Sequence, residues 1–159
     1  MFFVALALFL TARWWLGELP PAPPKPDALE AGTYRIQRVV DGDTLLLDNR
    51  CRVRLIGADT PETVRPNYPV EPFGPESTQF TTRFVAGGEV RLQFDGPRKD
   101  KYDRFLAHVW VGDRLLEEEL LRAGLAVADT QYHYSAAMKD RFRRAEAEAQ
   151  AAHRGIWSR

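Results

Sequence analysis

Short β-rich runs separated by turn residues constrain the fold of this chain most strongly. Alternating or β-branched runs occupy residues 34–40, 44–47, 52–56, 89–94 and 105–111. The first three are separated by Asp41-Gly42 and by Asp48-Asn49-Arg50, which are typical turn residues of β-hairpins. The sequence therefore predicts five short strands, of which the first three form an antiparallel meander.

Three helices are predicted between and after these strands. Residues 76–86 form the first, with Phe80 and Phe84 on its buried face and Gly87 at its end. Residues 115–123 form the second, stopped by Gly124, and residues 135–153 form the third. Five strands interrupted by one helix and followed by two more predict an α+β, mainly β domain: a five-stranded barrel of the OB-fold type with three helices.

The first 32 residues of the chain differ from this pattern. Residues 2–12 carry no charge, so residues 1–19 are interpreted as a signal peptide or a membrane anchor. Five of the seven residues in 20–26 are proline, and residues 20–32 are therefore predicted to be a Pro-rich linker. The folded domain is expected to span residues 33–159. This arrangement predicts an exported or membrane-anchored protein whose domain lies outside the cytoplasm.

Charge and cysteine content exclude several classes of protein. The chain has 22 basic and 22 acidic residues, so it cannot bind nucleic acid through bulk positive charge. Its single cysteine, Cys51, excludes an intrachain disulfide and a zinc site built from several thiolates. Any binding site for an anion must therefore be assembled locally.

Charged residues gather in three places that flank the strands. The first is Asp41-Gly42-Asp43-Thr44, the second runs from Arg54 to Glu62, and the third is residues 100–104. Taken singly, each has an ordinary structural interpretation: a hairpin turn, a loop of ion pairs and a solvated turn. The carboxylates and carbonyls of the second group are also hard oxygen donors that suit Ca²⁺ or Mg²⁺.

Taken together, the three groups resemble the thermonuclease (staphylococcal-nuclease-like) family. The resemblance rests on six motifs in register: DGDT (41–44), RLIGADTPE (54–62), FGPEST (73–78), DKYDR (100–104), LLRAGLA (120–126) and GIWS (155–158). It covers residues 34–158 and implies an OB-fold enzyme. The implied activity is Ca²⁺-dependent hydrolysis of phosphodiester bonds in DNA and RNA, with water attacking phosphorus, loss of the 5′-oxygen and 3′-phosphate ends.

The resemblance also implies a metal site and a base. It assigns Asp43, Asp59 and the main-chain oxygen of Thr60 as Ca²⁺ ligands. Asp41 would lie behind them as an outer carboxylate that orients the ligands. Glu62 would be the general base that activates water.

The same resemblance implies the groups that hold the substrate. Arg54 and Arg104 would bind the phosphate oxygens and stabilise the charge that builds at phosphorus. Lys101 and Tyr102 match positions that contact a nucleotide phosphate, and Tyr132 matches a position that stacks on a base.

Two departures from the family pattern bear on these roles. Thr130 stands where a first tyrosine is expected after GLA, which leaves Tyr132 as the stacking residue and Tyr134 as a further candidate. Asp103 replaces a more usual glycine before Arg104. Aspartate tolerates a left-handed backbone better than most residues, so the turn is expected to persist, although the added carboxylate could weaken the hold of Arg104 on phosphate.

Two other functions are compatible with parts of the pattern. A nucleic-acid-binding OB module without catalysis would use the same fold. A structural Ca²⁺-binding domain would use the carboxylates but would leave Arg54 and Arg104 without a role. The presence of the implied metal ligands, the base and both arginines together favours the enzyme. We expect this enzyme to be a monomer with no protein partner.

Overall fold

The computed structural model of the chain describes residues 24–64 and 66–158. Its strands are β1 (Gly32–Asp41), β2 (Thr44–Leu47), β3 (Arg52–Leu55), β4 (Ala58–Asp59), β5 (Glu89–Gln93), β6 (Phe105–Val111), β7 (Arg114–Leu115) and β8 (Val127–Ala128). Its helices are α1 (Gly74–Phe84), α2 (Leu116–Arg122) and α3 (Ala136–Ala151), followed by a 3₁₀ turn at Gly155–Trp157. The five predicted strands correspond to β1, β2, β3, β5 and β6.

The barrel closes because β1 is long enough to serve two neighbours. Its first half pairs with β5, from Gly32 opposite Leu92, and its second half pairs with β2, up to Asp41 opposite Thr44. Register shifts in the second half of β1 mark the bulges that bend it. A parallel pairing of β3, the edge strand at one end of the sheet, with β6 near the other end then closes the barrel. The predicted five-stranded OB-type barrel with three helices is confirmed.

The barrel interior is filled by alternate residues of these strands. Val53 and Leu55 of β3 are buried, as the alternation predicts, and β5 buries Val90 and Leu92 while exposing Arg91 between them. The α3 helix adds Phe142 to this core. The core therefore fixes the ends of β2 and β3, which carry the charged residues described below.

The buried face of α1 differs from the prediction. Phe80 and Phe84 pack against the core but stay partly exposed, whereas Ser77 and Thr81 are fully buried. Ser77 donates a hydrogen bond to the carbonyl of Leu125, and Thr81 donates to the carbonyl of Gly42. Small hydroxyl side chains let α1 approach the turn between β1 and β2 closely. The helix also begins two residues before the predicted start, with Pro75 in its first turn.

Three very short strands, β4, β7 and β8, were absent from the prediction, and β7 pairs antiparallel with the end of β6. The β4 and β8 strands pair antiparallel, with Ala58 opposite Ala128 and Asp59 opposite Val127. Two residues are too few to show a periodic pattern. This pairing brings the segment after α2 beside Asp59.

The predicted linker is only partly described. Of its described residues, Lys25, Pro26 and Glu30 contact the barrel domain and Leu29 is buried in the core. The predicted signal peptide or anchor, residues 1–19, lies outside the described residues. Among the residues that the structure describes, no helix has the length and apolar character needed to cross a membrane.

Candidate active site

Asp43 lies in the tight turn between β1 and β2 and is almost fully buried. Its Oδ2 accepts hydrogen bonds from the Thr60 amide (3.0 Å) and the Thr60 hydroxyl (2.9 Å), and its Oδ1 accepts one from the Thr44 hydroxyl (3.0 Å). A Cβ on Gly42 would lie 2.6 Å from the Thr60 hydroxyl, so glycine is needed for this close approach. The turn and the loop after β4 are thereby held together.

Arg54 joins the two predicted carboxylate ligands. Its Nη1 lies 2.5 Å from Oδ2 of Asp43, its Nη2 contacts Oδ1 of Asp59, and Nη1 also donates to the Ala58 carbonyl at 2.8 Å. Burial alone would lower the pKa of Arg54, but the carboxylates of Asp43 and Asp59 raise it above its ordinary value. The guanidinium therefore stays charged and brings both carboxylates to one point.

Asp41 is held by hydroxyl and amide groups. Its Oδ1 accepts hydrogen bonds from the Gly42 amide (2.8 Å), the Thr63 hydroxyl (2.7 Å) and the Thr78 hydroxyl (3.3 Å). These bonds tie the turn both to the loop after β4 and to α1. This position behind Asp43 suits the predicted role of Asp41 as an outer carboxylate that orients the metal ligands.

Glu62 lies at an open groove of about 480 Å³. The groove is lined by Arg52, Glu62, Val64, Tyr102 and Arg104, and thus brings two predicted catalytic residues together. Partial burial raises the pKa of Glu62, and repulsion from Asp41, Asp43 and Asp59 raises it further. A carboxylate with a raised pKa is a stronger proton acceptor once ionised.

The loop that carries Glu62 is closed by a residue that the sequence analysis missed. The Glu71 carboxylate accepts the Glu62 amide at 3.0 Å, and the Glu71 amide donates to the Glu62 carbonyl at 2.9 Å. Arg52, which lines the groove, was missed as well. Neither residue belongs to a motif with a recognisable spacing, so the sequence held no signal for them.

Arg104 is held by Asp100, another residue without a predicted role. The nearly buried Asp100 carboxylate accepts hydrogen bonds from Nε of Arg104 (2.7 Å), the Arg104 amide (3.0 Å) and the Tyr102 amide (2.8 Å). The Arg104 guanidinium and the Lys101 ammonium both lie over the ring of Tyr102, at 5.3 and 5.0 Å from its centre. Lys101, Tyr102 and Arg104 are thus grouped on one turn. The spacing of Asp100 and Arg104, four residues apart, could have indicated the ion pair.

Asp103 adopts the left-handed conformation that the sequence analysis expected, with φ of 59°. Its carboxylate forms ion pairs with Lys25 and Lys99, each at 2.6 Å. Hydrogen bonds from Lys25 and Lys99 lower the pKa of Asp103 to about 2. The Asp103 carboxylate is therefore paired with Lys25, from the predicted linker, and with Lys99, instead of competing with phosphate for Arg104.

The two tyrosines after α2 differ in their surroundings. Tyr134 is a core residue: its hydroxyl donates to the Asp129 carbonyl at 2.9 Å, and its ring packs against His108 and Phe142. Burial raises the pKa of Tyr134 to about 12. The prediction of Tyr134 as a further base-stacking candidate is therefore wrong. Tyr132 is only half-buried and lies near enough to Arg54 to raise the pKa of that group.

The predicted metal ligands fit a hard divalent cation in their chemistry. Asp43 and Asp59 converge on a single positive group, Arg54, and the Asp59 side chain is 63% exposed. Within the described residues, no cluster of three or more His, Cys, Asp or Glu side chains could hold a metal, and the predicted site takes its third donor from the main-chain oxygen of Thr60. Two carboxylates and a carbonyl are donors that Ca²⁺ accepts.

Comparison with known proteins identifies the family. A family model described as staphylococcal nuclease homologue matches residues 52–159. The chain is 43% identical to a thermonuclease of Staphylococcus hyicus over 129 residues, covering 79% of this chain and 76% of that protein. It is 38% identical over 128 residues to endonuclease YncB of Bacillus subtilis (strain 168), covering 78% of this chain and 61% of that protein. The chain therefore belongs to the staphylococcal nuclease family, as its six motifs predicted, and it is a nuclease, a hydrolase of phosphodiester bonds.

Proposed function

We propose that the chain is a Ca²⁺-dependent endonuclease that cleaves DNA and RNA and leaves 3′-phosphate ends. One observation carries the proposal: Arg54 draws Asp43 and Asp59 together beside a groove that Glu62 and Arg104 line. A binding module without catalysis gives no specific role to a buried arginine between two carboxylates with Glu62 close by. The relatives named thermonuclease and endonuclease support the same reaction class.

Asp43, Asp59 and the main-chain oxygen of Thr60 are the residues that would hold Ca²⁺. When bound, the ion supplies positive charge that stabilises the oxygens of the phosphate as negative charge builds on them. The Thr60 amide and hydroxyl fix Asp43 through two hydrogen bonds, and Asp41 fixes the same turn from behind. The site is thus oriented before a ligand arrives, which reduces the cost of binding.

Glu62 and the two arginines perform the reaction in this proposal. Glu62 takes a proton from water as the water oxygen bonds to phosphorus, and the bond from phosphorus to the 5′-oxygen breaks. Arg104 and Arg54 donate hydrogen bonds to the phosphate oxygens, and one of them also favours departure of the 5′-oxygen. The 3′-oxygen keeps the phosphate. Asp100 aims the Arg104 guanidinium by binding its Nε.

Lys101, Tyr102 and Tyr132 would bind the neighbouring nucleotides. Tyr102 is 60% exposed at the groove, so its ring and hydroxyl are accessible to a strand bound there. Lys101 adds a positive charge over the same ring, and Tyr132 offers a half-buried face for base stacking.

Export or membrane anchoring through residues 1–19, and a monomeric state, stay predictions. Fractionation and N-terminal sequencing of the expressed chain would test the export or anchoring.

The direct test uses the native chain and single-stranded DNA or RNA. With Ca²⁺ we expect hydrolysis, which a chelator abolishes and added Ca²⁺ restores. The products should accept label from polynucleotide kinase without prior phosphatase treatment, because the phosphate stays on the 3′-oxygen and each new 5′ end is a free hydroxyl. Hydrolysis that persists in excess chelator would contradict the metal assignment, and 5′-phosphate products would contradict the direction of cleavage.

A further inference from the structure

The predicted linker docks on the barrel beside the proposed active site. Leu29 is only 3% exposed, and the Pro26 carbonyl lies 3.7 Å from Sγ of the buried Cys51. Glu30 forms an ion pair with Arg98 at 3.1 Å. Since Cys51 directly precedes β3, the strand that carries Arg54, this part of the linker runs along the side of the catalytic domain.

Lys25 contacts the turn that carries Arg104. Its Nζ lies 2.6 Å from Oδ2 of Asp103 and 3.4 Å from the Asp103 carbonyl oxygen. Lys99 binds Oδ1 of the same carboxylate at 2.6 Å. One carboxylate is therefore held between two ammonium groups, one from the linker and one from the barrel.

Asp103 lies between Tyr102 and Arg104, the two residues of its turn that line the groove. Its backbone is left-handed, a conformation that glycine adopts with less strain than aspartate. The inner side of the turn is fixed by Asp100, and the outer side by the ion pairs of Asp103. Loss of the outer contacts would leave the turn held from one side only.

We propose that Lys25 is a positioning residue that clamps the 100–104 turn through Asp103 and so holds Arg104 and Tyr102 at the groove. This rests on the proposed nuclease function of that groove. The linker is then part of the working enzyme, because a residue outside the OB barrel completes the support of its phosphate-binding turn. The clamp also gives the Asp103 side chain a contact that glycine in the same left-handed conformation could not make.

The clamp, which is the ion pair of Lys25 with Asp103, is partly exposed, and this exposure limits the size of the expected effect. Exposed ion pairs contribute little, equivalent to a change of up to about fivefold in an equilibrium or rate. We therefore expect Lys25→Met to lower kcat/KM by about two- to fivefold. Lys25→Arg, which keeps a cation of similar reach, should restore most of this loss. Glu30→Gln is the matched control, because it removes the other linker ion pair without touching the turn.

The test combines a double-mutant cycle with a direct measurement on the carboxylate, all in the full chain. Lys25→Met should cost activity in the native background but have a clearly smaller effect on Asp103→Asn, since asparagine keeps the left-handed turn and lacks the charge, which leaves only the 3.4 Å contact of Lys25 with the main-chain carbonyl. Carboxyl-carbon NMR should give Asp103 a pKa of about 2 in the native chain and a higher value in Lys25→Met.

The outcomes separate the clamp from the nuclease function. An active native chain in which Lys25→Met changes neither kcat/KM nor the Asp103 titration overturns the clamp and leaves the function standing. A raised Asp103 pKa with unchanged kcat/KM shows docking without positioning and also overturns the proposal. Equal losses in Lys25→Met and Glu30→Gln would indicate general linker stability instead. A native chain that cleaves no nucleic acid overturns the function and the positioning role together.

Discussion

Replacing Asp100 with asparagine would separate the orientation of the Arg104 guanidinium from the backbone conformation of the turn that carries it. The Asp100 carboxylate accepts two amide hydrogen bonds through Oδ1 and the Arg104 Nε through Oδ2. The amide oxygen of asparagine can still accept both backbone bonds, whereas its NH₂ group would face the Nε–H of Arg104, donor against donor. The variant therefore loses mainly the bond that directs the guanidinium.

The size of the loss follows from that single bond. A hydrogen bond to a charged group contributes about 1.5–3 kcal/mol, which corresponds to roughly 10- to 100-fold. Because 22% of the Arg104 side chain is exposed, water replaces part of the bond, and we expect the lower end, about 10- to 30-fold in kcat/KM. Asp100→Ala also removes both backbone bonds and should lower the free energy of unfolding by about 2–4 kcal/mol.

Both variants can be measured with a fluorogenic oligonucleotide for kcat/KM and with urea unfolding for stability. Asp113→Asn is the matched control, because Asp113 lies in the turn after β6, at the opposite end of that strand from Arg104. It should change neither quantity. Retention of activity within twofold by Asp100→Asn, with normal unfolding, would refute the role given to the Asp100 contact with Arg104.

Two further predictions concern the core behind the site. Gly57→Ala should lower the free energy of unfolding by about 2–4 kcal/mol in urea, because the residue has φ of 94° and its Cβ would lie 2.5 Å from the Phe142 ring. Burial raises the pKa of Glu117, which contacts the buried His108, above its ordinary 4.5. The folded chain thus keeps the Glu117 proton to higher pH than the unfolded chain, so stability should fall as pH rises through the folded-state pKa. Glu117→Gln should abolish that component of the pH dependence, whereas Glu119→Gln on the same helix should retain it.

The sequence predicted the barrel and its charged turns because both depend on local patterns. Strand alternation placed Val53 and Leu55 inside, and Asp41-Gly42 marked the hairpin that presents Asp43. The convergence of Asp43, Asp59 and Arg54 could be expected only through the family resemblance, since the contacts join residues from separate elements.

Other features depend on tertiary packing that no local pattern encodes. The contact of Lys25 with Asp103 spans 78 positions, and a proline-rich composition indicates only an extended spacer. Tyr134 was a plausible stacking residue by its position, but its ring fills the space beside His108 and Phe142. The buried face of α1 was predicted from its phenylalanines, yet hydroxyl groups are what allow its close approach to the β1–β2 turn.

The effect of Glu62→Gln on single-turnover hydrolysis at saturating Ca²⁺ tests the central claim most directly. Glutamine keeps the size of the side chain but cannot accept the proton, so the rate should fall by about 10²- to 10⁴-fold. Urea unfolding should be unchanged, because the Glu62 side chain is largely exposed and its loop is closed by contacts of the Glu62 main chain with Glu71. Glu76→Gln, at the exposed start of α1, should behave as the native chain. A Glu62→Gln rate within about threefold of the native rate would contradict the assignment of Glu62 as the base.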